Sequence, residues 1–129
     1  MMRILSVDDS KTVRAAVKSI VEVIGIELLE AEDGLEGQKV LDQVNGDVDL
    51  ILLDWEMPNV DGYEFLTKVK KDKRYRDIPV IMLTTVSQKE KMIEAIRAGA
   101  KQYITKPFSS ETLLTKIIQA LGIDSLEEL

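Results

Sequence analysis

The sequence predicts an α/β fold: a doubly wound parallel sheet of five strands with helices on both faces. Two observations predict it. Short apolar runs alternate with longer stretches whose apolar residues recur at helical spacing, a rhythm that demands β-α-β crossovers. The runs also divide into continuously apolar ones, suited to strands covered on both sides, and mixed ones, suited to edges. At 129 residues, 45% hydrophobic and 31% charged, the chain has the size and balance of one compact domain.

The elements follow in order. Ile4–Val7 reads as the first strand, and Val13, Ala16, Val17, Ile20 and Ile24 mark one face of a first helix. Ile26–Ala31 is a second strand with glutamates mixed in, followed by a less regular helix through Leu35, Val40, Leu41 and Val44. Leu50–Leu53 is a third strand, and Phe65, Leu66 and Val69 mark the third helix. Val80–Leu83 is the fourth strand, with Ile93, Ile96 and Ala100 expected on the buried face of its helix. Gln102–Thr105 is a polar fifth strand, and Leu113, Leu114, Ile117, Ile118 and Leu121 define the last helix. With the mixed strands outermost, right-handed crossovers give the order 2-1-3-4-5, a flavodoxin-like (βα)5 three-layer sandwich. Residues 1–121 form this domain and 122–129 a short tail, in which Ser125 and Glu128 have capping-box spacing but fraying is expected.

Composition excludes much. A net charge of −6 argues against neutralising nucleic-acid phosphates or approaching anionic lipid. No apolar run nears the roughly 20 residues of a membrane helix, and acids come too early for a signal peptide. The expectation is therefore a cytoplasmic protein. Cysteine and histidine are both absent, which rules out thiol chemistry, a Ser-His-Asp triad and a His-ligated zinc site. Chemistry falls to carboxylates, lysine, hydroxyls, backbone amides or a bound hard cation.

In the order 2-1-3-4-5 the switch point lies between strands one and three, and ligands bind at the carboxyl ends of the strands there. Asp8 and Asp9 end strand one, Asp54 ends strand three, Thr84 and Thr85 follow strand four, and Lys106 and Pro107 follow strand five. Two like charges ~4 Å apart repel by roughly 4 kcal/mol at an effective dielectric near 20, so three carboxylates call for a cation. An all-oxygen donor set selects a hard ion, Mg²⁺ first. Lys106 can neutralise part of the cluster as a compact point charge. A carboxylate beside Mg²⁺, an ammonium and a hydroxyl suits phosphoryl transfer to an aspartate nucleophile. Structural roles compete: Asp9 or Ser10 as an N-cap of the first helix, Asp61-Gly62 as a turn into the third, Tyr103 as packing.

These residues resemble the receiver domain of two-component response regulators, in particular its CheY-like, stand-alone type. The resemblance covers nearly all of residues 2–121. It rests on Ile4-Leu5-Ser6-Val7-Asp8-Asp9-Ser10, Leu52-Leu53-Asp54-Trp55-Glu56-Met57-Pro58 with Asp61-Gly62, Val80-Ile81-Met82-Leu83-Thr84, Gly99-Ala100, and Tyr103-Ile104-Thr105-Lys106-Pro107-Phe108. It implies that Asp54 accepts a phosphoryl group from a histidine kinase. Asp9, Asp54 and the Glu56 backbone carbonyl would ligate Mg²⁺, with Asp8 acting through water. Lys106 would pair with Asp54 and then with the phosphoryl oxygens, and Thr84 would hydrogen-bond the phosphoryl group. Tyr103 would swing inward on activation and alter the face of helix 4, strand 5 and helix 5. Lys89, Lys91, Lys101 and Lys116 are expected on that side. A cis peptide before Pro107 is also implied. Glu56 and Val86 occupy the two lifetime-tuning positions. Glu56 can repel an attacking water or hold it, and Val86 offers no hydrogen bond, which implies slow autodephosphorylation.

The resemblance implies a monomeric signalling switch rather than an enzyme, one that catalyses only its own phosphorylation and dephosphorylation. The tail is too short to be an output domain, so output passes by protein contact: a flagellar motor switch first, a phosphotransfer protein of a phosphorelay second. The rival from another class is a small Mg²⁺-dependent phosphatase of the haloacid dehalogenase type. That chemistry wants Asp-x-Asp, and Asp54-Trp55-Glu56 only half fits. A nucleotide-binding module is disfavoured because no glycine set forms G-x-G-x-x-G or a P-loop.

Overall fold

The computed structural model describes residues 2–123. The expected frayed tail, with Ser125 and Glu128, lies outside the described residues from position 124 onward. The elements run β1 (Arg3–Val7), α1 (Lys11–Val23), β2 (Glu27–Ala31), α2 (Gly34–Gln43), β3 (Leu50–Leu53), α3 (Gly62–Lys71), β4 (Val80–Thr84), α4 (Lys89–Arg97), β5 (Gln102–Thr105) and α5 (Ser110–Leu121). All neighbouring strands pair in parallel, in the order β2-β1-β3-β4-β5. The expected sheet and its switch point are both present.

Two buried layers cover the sheet. Leu5, Val7, Ile51, Leu53, Val80 and Met82 face Leu41, Phe65, Leu66 and Val69 of α2 and α3. Ile4, Leu50, Leu52, Ile81 and Leu83 alternate to the other face, against Val17 and Val21 of α1 and Leu113 and Ile117 of α5. This alternation along parallel strands, apolar on both sides, is why β1, β3 and β4 read as unbroken hydrophobic runs.

Three helices depart in part from the expected faces. On α1 Val17 is buried, with Val13, Ile20 and Ile24 half-buried against the same layer as expected, but Ala16 is exposed and Val21 is the second fully buried residue. On α2 the buried stripe is Gly34, Gly37 and Leu41, and Leu35 is exposed. A Cβ at Gly34 would stand 2.7 Å from Val60 Cγ1, and one at Gly37 3.0 Å from Phe65 Cε1. The helix packs through absent side chains, so its apolar pattern looks irregular. On α4 the buried residue is Ala95, while Ile93 and Ile96 are 41% and 47% exposed. That face was expected to be core, and it points to solvent because the small Ala95 brings the helix against the sheet.

Candidate functional site

The strand register builds the site. Val7 pairs with Leu53, so Asp8 and Asp54, each one residue further on, emerge side by side from the two central strands. Thr84 pairs with Thr105, which sets Lys106 just beyond on the same edge. One carboxylate oxygen from each of Asp8, Asp9 and Asp54 lies within 4.8 Å of the others. Asp8 and Asp54 are buried and Asp9 is exposed. The cap of α1 is Ser10, whose hydroxyl accepts from Val13 N at 3.2 Å, which leaves the Asp9 carboxylate outside the capping interaction.

Lys106 ties the acids together. Its Nζ donates to Asp8 Oδ2 at 2.7 Å and stands 3.4 Å from Asp54 Oδ2. The resemblance implied an Asp54 pair; in the structure the nearer partner is Asp8, so one ammonium serves both. Asp8 Oδ1 accepts from Ser10 N at 2.9 Å, and Asp54 Oδ1 accepts from Trp55 N at 2.8 Å. Burial holds the Asp8 carboxyl above its ordinary value, reinforced by the nearby Asp54 charge and opposed by Lys106 and the Ser10 amide. A cation among these oxygens would relieve that strain, and the all-oxygen donor set fits Mg²⁺.

One supporting residue was not legible in the sequence. Arg14 of α1 donates from Nη1 to the backbone carbonyl of Asp8 and pairs through Nε with Glu30 of β2 at 3.0 Å. Its side chain is only 13% exposed. α1 also carries Lys11 and Lys18, so nothing in the sequence singles Arg14 out.

The loop from Trp55 to Asp61 presents Glu56, whose side chain is exposed. Asn59, at φ +67°, donates from its amide to Asp33 Oδ2 at 2.9 Å and so pins the loop to the α2 N-terminus. Asp61 caps α3 by accepting from Glu64 N at 2.9 Å, so its structural reading holds. Trp55 stacks on Tyr63, with ring centroids 5.6 Å apart, and Lys91 of α4 sits 5.3 Å above the Trp55 ring.

Thr84 is fully buried, and its Oγ1 accepts from Val86 N at 3.2 Å. The Val86 carbonyl in turn accepts from the Tyr103 hydroxyl at 2.6 Å. A single residue's backbone therefore joins the hydroxyl at the acid cluster to the aromatic ring on β5. Tyr103 is half-buried, and its hydroxyl is tied to the loop after β4. Burial, and secondarily the Asp54 charge, raise its phenol above the usual value. The Lys106–Pro107 peptide is cis, as expected. Of the lysines expected on the output side, Lys101 instead donates to the Ala120 carbonyl at 3.0 Å, at the opposite edge of the sheet from the acids.

A family model described as the response regulator receiver domain matches residues 4–118. The chain is 41% identical over 122 residues to Chemotaxis protein CheY1 of Helicobacter pylori, covering 94% of this chain and 98% of that one. It is 41% identical over 127 residues to the Chemotaxis protein CheY homolog of Campylobacter jejuni, covering 98% and 97%. Among solved structures, Vibrio cholerae chemotaxis protein CheY4 superposes with a TM-score of 0.86 at 34% identity, covering 93% of this chain and 98% of that one.

Proposed function

The chain belongs to the response regulator receiver domain family, a family of phosphorylation-activated switches, and from that membership we propose that its phosphoacceptor is Asp54. The observation that carries the reading is the placement of Asp54 between two further acids and Lys106, with Thr84 connected through Val86 to Tyr103. The donor is a histidine kinase. An Asp54 oxygen attacks the phosphorus of a phosphohistidine in line; the P–N bond breaks, the P–O bond forms, and the imidazole leaves and takes a proton from water. Asp9, Asp54 and the Glu56 carbonyl would hold Mg²⁺, with Asp8 acting through water. When bound, the ion would supply charge neutralisation for the incoming phosphoryl oxygens.

The chain's own residues do the rest. The Lys106 ammonium moves from carboxylate oxygens to phosphoryl oxygens, and the Thr84 hydroxyl donates to them. Since Thr84 Oγ1 also accepts from Val86 N, drawing Thr84 inward pulls on the segment that holds the Tyr103 hydroxyl. That carries the local charge to the α4–β5–α5 face. There Met92, Ile93, Ile96, Arg97 and Tyr103 line an apolar hollow of the kind that takes a protein partner. Chemotaxis is the reading favoured by the names of the relatives, and the target proposed for it is a flagellar motor switch; an intermediate receiver in a phosphorelay is the second. The protein acts as a cytoplasmic monomer and turns over no external substrate.

Trp55, 8% exposed and adjacent to Asp54, reports the site. Its fluorescence is expected to respond saturably to Mg²⁺ and then, only with Mg²⁺ present, to beryllofluoride. Asp54→Asn should abolish the second response. An Asp54→Asn protein that still answers beryllofluoride would remove Asp54 from the acceptor role, and sustained turnover of a generic phosphomonoester would favour the phosphatase instead.

Lifetime is set at Val86, whose half-buried side chain cannot orient water. Slow loss of phosphate is expected from the wild type, and Val86→Glu should change the decay several-fold. An unchanged decay of the radiolabelled protein would discard this account.

A further inference from the structure

The strongest concentration of charge in the chain lies away from the acids. Residues 68–76 carry six of the 17 cations and a single acid, Asp72, a local charge of +5 in a chain of −6 that leaves −11 over the rest. The segment is the C-terminal turn of α3 and the loop towards β4. α3 has ten residues, so its far end stands roughly 15 Å from the acceptor end at 1.5 Å per residue.

Some of these cations are used internally. Arg74 pairs with Asp72 at 2.8 Å and Asp42 at 3.5 Å and lies over the Tyr75 ring. Lys70 donates to the carbonyls of Arg76 and Ile78. Lys71 and Lys73 have no ion pair among the described residues, and Lys68 has only an exposed one with Glu64 at 3.6 Å. Exposed pairs of that kind hold little energy and give way to a better partner. Lys68, Lys71 and Lys73 line one open cleft with Gln38 of α2, Arg74 and Asp72, the acid that Arg74 pairs. Lys68 and Lys71, three apart, share a helix face, and Lys73 extends the row past the helix end.

We infer that this cleft between α2 and the end of α3 docks a short acidic segment of a partner protein. Charge complementarity names the occupant. Three mobile ammonium groups and an amide suit separate carboxylates along an extended peptide better than a planar bidentate anion, for which arginine would be the donor. The extent of the patch limits the choice further. A membrane surface or a long nucleic acid would meet the −11 surrounding the cleft and be repelled, whereas a peptide a few residues long stays within it. The cleft shares no residue with the acid cluster, the Thr84–Val86–Tyr103 connection or the α4–β5 hollow. It therefore tethers a partner in either phosphorylation state and raises the local concentration of receiver beside it.

A fluorescein-labelled octapeptide of glutamate and serine tests this by anisotropy against the whole chain. Saturable binding at about 50 mM salt is expected, weakening at least tenfold by about 300 mM as screening shortens the field. The variant K68Q/K71Q/K73Q should lose at least tenfold in affinity, while K89Q, which removes a lysine elsewhere on the surface, should not. The Trp55 response to Mg²⁺ and beryllofluoride should be unchanged in both, which separates this inference from the acceptor assignment. Absence of saturable binding, equal loss in K89Q, or tighter binding to phosphatidylserine vesicles or to single-stranded RNA than to the peptide would each overturn it.

Discussion

Gly62→Ala is expected to cost at least about 3 kcal/mol of stability and to abolish the Trp55 response to Mg²⁺. A Cβ at Gly62 would lie 2.0 Å from the Asp54 carbonyl oxygen, 2.7 Å from Trp55 Cα and 2.9 Å from the Asp54 carbonyl carbon. All three are backbone atoms, so no side chain can rotate away. The Gly62 amide also donates to the Trp55 carbonyl at 2.7 Å. The first turn of α3 thus lies directly on the peptide that carries the acceptor, and the methyl group must displace either the helix or Asp54. Gly25, at φ +82° with nothing within 4 Å of an added Cβ, is the control. Gly25→Ala should cost only about 1 kcal/mol, from backbone conformation alone, and leave the Trp55 response intact. Urea unfolding and Mg²⁺ titration of both variants check this; equal costs would mean that the close approach at Gly62 is readily relaxed.

Gly62 also shows where sequence reading reaches its limit. Asp61-Gly62 reads correctly as a turn into a helix, because Asp61 is a good N-cap whatever surrounds it. That the glycine is required by the close approach of the Asp54–Trp55 backbone rather than by turn geometry depends on tertiary packing, which no local pattern encodes. The same distinction runs through the fold. Strand order was legible because polar residues in β2 and β5 mark edges, and the site was legible because parallel strands deliver their carboxyl ends to one side. Helix faces were less so. Ile93 and Ile96 have core spacing yet face solvent, since spacing fixes which residues share a face but not whether that face is turned inward. Gly34 and Gly37 hide a buried face by having no side chain to count. Arg14 and Asn59 act through single hydrogen bonds to residues far off in sequence, Arg14 to Glu30 and Asn59 to Asp33.

Asp8→Asn is expected to move stability and metal binding in opposite directions. Burial raises the Asp8 carboxyl above 3.8, so the folded state takes up a proton more readily than the unfolded chain. The stability this group contributes is full below pH 3.8 and is lost as pH rises through its higher folded value, leaving a net penalty at neutral pH. Asparagine removes the charge at every pH and retains an oxygen for the Ser10 amide. Lys106 is not orphaned, because Asp54 Oδ2 remains 3.4 Å away. The metal-free variant should therefore be more stable than wild type by about 1 kcal/mol at pH 7, a usual gain when like charges at a functional site are relieved. The difference should shrink as pH falls towards 4. Mg²⁺ affinity should fall at least tenfold, since one carboxylate of the cluster no longer offers charge to the ion or its water. Urea unfolding across pH and Mg²⁺ titration of Trp55 fluorescence measure the two arms separately. A less stable metal-free variant would mean that the Lys106 pair outweighs the burial of Asp8; unchanged Mg²⁺ affinity would remove Asp8 from the metal site and leave Asp9 and Asp54 to hold the ion.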